Sequence, residues 1–267
     1  MNGGRKGPTG LWGGRPVPAQ GELQRLDIGP LTVWLHAEDG ELWITHARAP
    51  EGQEPDRSLP DDAQWSRWAL PEVGSHLNLS PVFPDRPLVV KPEHAFTLMR
   101  RARARIYVHV PAWVRVEIMD HAGGRRAILT EIPTVRLSET WWGDVRDGEL
   151  AYWLMTKGRS KLTPDLFNTH MVISAVQLDN RSEDDLQVEK LSLRAEHLSV
   201  YEQEGWLWAE EVRVEYHGED EGTDIHMDDN PPPEAAGATE ISPARVQARS
   251  FKARTFARLR ALSGWGG

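Results

Sequence analysis

The stretch Ile106-Tyr107-Val108-His109-Val110-Pro111-Ala112-Trp113-Val114-Arg115-Val116-Glu117-Ile118 decides how the chain is read. Side chains alternate strictly from Ile106 to Val110, and alternate again from Trp113 to Ile118. A period of two sends successive side chains to opposite faces of an extended strand, so each half has one face for a core and one for solvent. Pro111 has no N–H to give to a ladder and marks a strand bend or a change of sheet. Downstream, His121-Ala122-Gly123-Gly124 reads as a turn and Ile128 to Ile132 as the returning partner strand.

The same pattern continues on both sides. Leu31, Val33 and Leu35 alternate with Thr32, Trp34 and His36, and beyond Asp39-Gly40 the residues Leu42 and Ile44 alternate with Trp43 and Thr45. Two such runs split by Asp-Gly predict a β-hairpin. Trp34 and Trp43 are expected to face each other across it, contributing about 0.5–1 kcal/mol. Residues 64–70 and 76–82 read as further strands, and prolines at 81, 84, 87 and 92 bar a helix there. In the second half, residues 170–178, Leu186 with Val188, 191–193, 197–201, 206–208 and 212–216 are short apolar runs separated by Asn, Asp, Gly and Ser. Short strands at even spacing predict an all-β protein, an antiparallel β-sandwich built as one large or two consecutive units.

Between the halves lies Leu137-Ser138-Glu139-Thr140-Trp141-Trp142-Gly143-Asp144, continuing to Gly148-Glu149-Leu150-Ala151-Tyr152-Trp153-Leu154. It holds three of the twelve Trp and one of the four Tyr. Strand, turn and strand is its reading, with the rings as a core anchor around which the chain is organised. The expected divisions are a flexible leader over 1–20, a first sandwich unit over 21–145 and a second over 146–216. An acidic disordered linker follows over 217–240, then a basic amphipathic helix or tail over 241–267.

The tail differs in composition from everything before it. The linker carries Glu219, Asp220, Glu221, Asp224, Asp228 and Asp229, then three prolines, a composition that stays unfolded. Ser242-Pro243 is a helix N-cap followed by proline at the first helical position. From Ala244 to Leu262 the charged residues are all basic: Arg245, Arg249, Lys252, Arg254, Arg258 and Arg260. Phe251, Phe256, Leu259 and Leu262 share a helical face. Such a helix suits a protein partner, a membrane protein or a membrane surface; the alternative is that it folds back on its own linker or on the sandwich.

Composition narrows the function. With no cysteine, thiolate nucleophiles, disulfides and cysteine-based metal sites are excluded. A net charge of −9 disfavours nucleic acid as a partner. No apolar run reaches membrane-spanning length and the N-terminus lacks a secretory pattern, which predicts a cytoplasmic protein. The ten His show no metal-binding spacing, no Gly-rich phosphate loop opens a helix, and no Gly-x-Ser-x-Gly elbow is present. No cofactor, metal site or catalytic residue is therefore assigned.

Three stretches together, Lys91 to Leu98, Arg105 to Val116, and Leu137 to Asp144 with Gly148 to Trp153, make the chain resemble an uncharacterised archaeal and bacterial family catalogued as domain of unknown function 432. The resemblance runs from about residue 22 to 216. It carries no established activity, and its motifs look structural. The leading expectation is a non-catalytic interaction or accessory protein with a β-sandwich body. Its tether comprises Arg245, Arg249, Lys252, Arg254, Phe256, Arg258, Leu259 and Arg260. An alternative is a carbohydrate-binding or carbohydrate-active domain, with Trp141 and Trp142 stacking on a sugar beside Glu139 and Asp144. Another is a factor associated with a membrane protein or membrane surface.

Overall fold

The computed structural model describes residues 10–50, 52–70, 75–119, 126–143, 145–146, 148–218 and 222–253. The first strands are β1 (Gly13–Pro16), β2 (Leu23–Ile28), β3 (Leu31–Glu38), β4 (Glu41–Arg48) and β5 (Ser66–Ala69). Then come β6 (His76–Val82), β7 (Leu88–Val90), β8 (Phe96–Leu98), β9 (Arg103–Pro111), β10 (Trp113–Met119) and β11 (Arg126–Pro133). The middle of the chain forms β12 (Ser138–Trp142), β13 (Glu149–Trp153), β14 (Met171–Asn180), β15 (Leu186–Val188) and β16 (Leu191–Leu193). Last are β17 (Val200–Gln203), β18 (Trp206–Trp208), β19 (Val212–Gly218), β20 (Gly222–Met227), β21 (Thr239–Ser242) and β22 (Ser250–Ala253). The protein is all-β. Helix among the described residues is confined to single 3₁₀ turns at Pro164–Leu166, Ala195–His197 and Pro233–Ala235.

The meander β2-β3-β4-β5 packs against the sheet β1-β6-β10-β11, both antiparallel. Leu31, Val33, Leu35 and Ile44 from the first meet Leu77, Leu79, Val114 and Val116 from the second in one buried cluster. The hairpin turn is the expected one, with Asp39 and Gly40 at φ 51° and 78°, the left-handed pair that a two-residue loop needs to match strand twist. Its register differs from expectation by one pair. Trp34 lies opposite Thr45, and Trp43 opposite His36. Trp34 is therefore in the core, while the Trp43 ring meets His36 edge-on at 5.7 Å and has the Arg67 guanidinium over it at 3.9 Å.

Pro111 is where the chain changes sheet. β9 leaves the first layer and pairs over its whole length with β14, while β10 pairs with β6 and β11. β14 is the centre of an eight-stranded sheet: β9 lies on one side of it, and β18 and β19 follow one another along the other in parallel register. One face of that sheet belongs to the largest core, where Ile106, Val108 and Val110 join Val172, Val176, Val212 and Val214. The other face carries Tyr107, Ile173, Tyr201 and Trp208. The largest core therefore draws on both halves of the chain, beside a separate cluster built from the first half alone. The organising strand is β14, and the Trp-rich hairpin sits at the margin, with β12 at the edge of the sheet β12-β13-β7-β16.

The acidic segment and the start of the tail depart most from expectation. Residues 222–227 are strand β20, paired with β19, because Thr223, Ile225 and Met227 alternate with Asp224 and His226 and bury their side. Over its described part the tail is not helical. Ser242 ends β21, and Phe251 lies in β22 opposite Ile225. Residues 254–267, with Arg254, Phe256, Arg258, Leu259 and Arg260, lie outside the described residues. Residues 13–16 of the expected leader form strand β1, which pairs with β6.

Candidate functional site

The residues singled out in the aromatic hairpin do not make one platform. Trp141 and Trp142 are consecutive in β12, so they project to opposite faces. Trp142 is 4% exposed and packs with Val89 and Ala151, while Trp141 is 51% exposed opposite Leu150. Glu139 is held by Arg86 at 2.7 Å, and Asp144 lies outside the described residues. A sugar face stacked on both rings is thereby excluded, because one ring is used in packing.

The basic residues of the tail that are described clamp it to the body. Arg245 reaches Glu131 through both terminal nitrogens, at 3.1 and 2.6 Å, and donates from Nε to the Phe83 carbonyl at 2.8 Å. Arg115 donates to the same carboxylate at 2.7 Å. Burial pushes the Glu131 carboxyl up, but the hydrogen bonds from Arg245 and Arg115 outweigh it and hold the group below its usual range. Arg249 pairs with Glu210, which is 0% exposed and also accepts the Ser199 N–H at 2.8 Å. Lys252 lies 3.6 Å from Asp224, and the Phe251 ring lies 4.4 Å from that of His197. Arg245, Arg249 and Lys252 thus fix a fold-back, the alternative to a free tether.

A cleft of about 760 Å³ opens where four sheets converge. Its basic residues come from three places. His46 and Arg48 are two apart near the end of β4 and so share a face. Arg136 lies in the connection between β11 and β12, and His170 immediately precedes β14. The crossover at Pro111 and Ala112 anchors the floor: the Ala112 N–H donates to the His170 carbonyl at 2.9 Å, and Thr134 Oγ1 donates to the Ala112 carbonyl at 2.6 Å. Thr156 Oγ1 donates to the His109 carbonyl at 2.7 Å. Gly29, in the turn between β2 and β3, touches the His170 ring so closely that a Cβ there would lie 2.1 Å from Nδ1.

The cleft is electropositive in a chain that is acidic overall. The described lining contains Arg48, Arg136, His46 and His170 and no Asp or Glu; Glu51, next to Pro50 in sequence, lies outside the described residues. Arg48 donates from Nε to the Pro133 carbonyl at 2.5 Å. Burial, then the like charge of Arg136, lowers the Arg48 guanidinium to about 10. His46 is lowered by loss of solvent around the ring and then by the charges of Arg48 and Arg136. Burial and the neighbouring His109 bring His170 down to about 4. Both imidazoles are neutral at pH 7, and the two guanidiniums repel each other without a carboxylate between them among the described residues. Concentrated positive potential with apolar walls is the arrangement that attracts an anion.

Sequence reading missed this cluster because its members are far apart in the chain and none sits in a local motif. The one available signal was that Arg48 ends a strand and Arg136 lies three residues after one, with Pro50 and Pro133 close by, at positions where loops gather. Among the described residues no group of three or more His, Asp or Glu could hold a metal ion, and no helix is long and apolar enough to cross a membrane.

In a comparison with known families, the model described as Protein of unknown function (DUF432) matches residues 11–260. The match extends past the 22–216 range of the resemblance at both ends, in keeping with a tail that packs on the body. No curated protein matches the chain, and no solved structure matches it.

Proposed function

The chain belongs to this DUF432 family of unknown function, and from that premise we propose that it is a non-catalytic binding protein. Its β body accepts an anionic group, of a small ligand or of a partner protein, between His46, Arg48, Arg136 and His170. The observation that carries this reading is the Arg48–Arg136 pair, two guanidiniums bearing on each other as like charges in a lining whose described residues include no acid. Holding such a pair open is unfavourable, and a bound anion relieves it through charge-assisted, bidentate hydrogen bonds.

Thermal unfolding in sulfate tests this. A ligand that binds only the folded state stabilises by about 2.7 kcal/mol at a hundredfold excess over its Kd, which raises the Tm of a chain this size by about 5 °C or more. Sulfate also stabilises proteins without binding, so the readout is the difference between the wild type and the R48M/R136M double variant, each measured against chloride of equal ionic strength. The wild type is expected to gain the additional degrees and the variant to lose them. An equal response in both proteins removes the cleft from consideration.

A further inference from the structure

Deepening the anion-binding reading, on which this inference rests, we infer that the anion is a phosphomonoester group carried on an apolar body. Charge selects the head group. Two permanent cations face the cavity, and a monoanionic carboxylate would neutralise only one. A phosphomonoester carries about −1.5 to −2 at pH 7 and presents three acceptor oxygens, enough for both planar forks. The hydroxyls of Thr134 and Thr156 are already committed to the Ala112 and His109 carbonyls, so the side-chain donors left to grip those oxygens are the guanidiniums, the imidazoles and the Gln53 amide.

Size and apolar lining select the rest of the ligand. About 760 Å³ is far more than an inorganic ion fills and lies in the range that holds a small organic molecule. Leu137, Met155 and Met171 line the same cavity beside Arg136 and His170, and Met155 is 58% exposed there. Apolar area left in water inside a cleft is gained back when an apolar group covers it, and unbranched methionine adapts its shape to what it covers.

A dianion placed against neutral imidazoles also raises their proton affinity. The charged groups bearing on them are Arg48 and Arg136 on His46, and His109 on His170, with Arg159 and Asp165 bearing on His109 in turn. The phosphoryl charge opposes the effect of the two arginines on His46 and raises its proton affinity toward the ordinary imidazole value.

Titration calorimetry of the full chain with n-hexyl phosphate, phenyl phosphate, inorganic phosphate and hexanoate, in buffers of different ionisation enthalpy, tests the inference. n-Hexyl or phenyl phosphate is expected to bind at least tenfold more tightly than inorganic phosphate and tenfold more tightly than hexanoate. Which of the two esters is preferred tells an aliphatic body from an aromatic one. The M155N variant, which removes apolar surface without adding charge, is expected to keep its affinity for inorganic phosphate and to lose the preference for the esters. Inorganic phosphate binding as tightly as both esters, or hexanoate binding as tightly as n-hexyl phosphate, overturns the ligand class while leaving anion recognition standing. No binding by any of the four compounds overturns both.

Discussion

Replacing Arg249 with Ala is expected to destabilise the fold by about 3–5 kcal/mol, the cost of leaving a buried carboxylate without its partner. Glu210 is fully buried and holds two partners, the Arg249 guanidinium and the Ser199 N–H. Burial already pushes its carboxyl above the usual range, with Arg249 and the Ser199 N–H pulling the other way. Without the guanidinium the folded-state pKa rises further above the unfolded one. The penalty is then absent below the unfolded carboxylate range, grows as pH rises from there to the folded value, and stays at its full size above it, where the native state buries an unpaired charge. Denaturant unfolding of R249A at pH 5 and pH 8 checks this, and the loss relative to wild type is expected to be larger at pH 8. A variant as stable as wild type at pH 8 returns Arg249 to the role of a free, partner-facing residue.

Gly29→Ala is expected to cost about 2–4 kcal/mol, from backbone strain and overpacking together. Gly29 has φ 58°, a left-handed conformation in which any Cβ is strained. A methyl group there would also meet the His170 ring at 2.1 Å from Nδ1 and 2.4 Å from Cγ. Cγ is the root of the ring, so a small rotation cannot relieve the contact, and the imidazole must leave its place in the cleft. The two contributions separate in a double-mutant cycle. H170A removes the clash but not the φ strain, so G29A should cost less in the H170A background than in wild type. An undiminished cost in that background shows that the backbone alone sets the effect and that Gly29 does not position His170.

The strands were legible because burial on one face writes a period of two into the residues themselves, and Ile106 to Ile118 shows it with Pro111 at the sheet change. Their partners were not. Nothing near Arg103 to Pro111 states that its neighbour is Met171 to Asn180, since pairing across so long a loop is decided by the whole core. The tail misled for a different reason. Spaced Phe and Leu with basic residues satisfy a helical wheel, yet Phe251 has a ready place opposite Ile225 at a sheet edge, and Arg245 and Arg249 find carboxylates at the half-buried Glu131 and the buried Glu210. In the acidic segment the charge count hid the alternation Thr223, Ile225, Met227. The cleft was the least legible feature, because His46, Arg48, Arg136 and His170 meet only through the convergence of sheets.

Location of a heavy anion by X-ray diffraction bears most directly on the central claim. Crystals soaked in tungstate, a tetrahedral dianion with strong anomalous scattering, are expected to show a peak within hydrogen-bond reach of both the Arg48 and the Arg136 guanidinium, and none there in R48M/R136M crystals. Tungstate bound at other basic surface positions with the cleft empty would contradict the account.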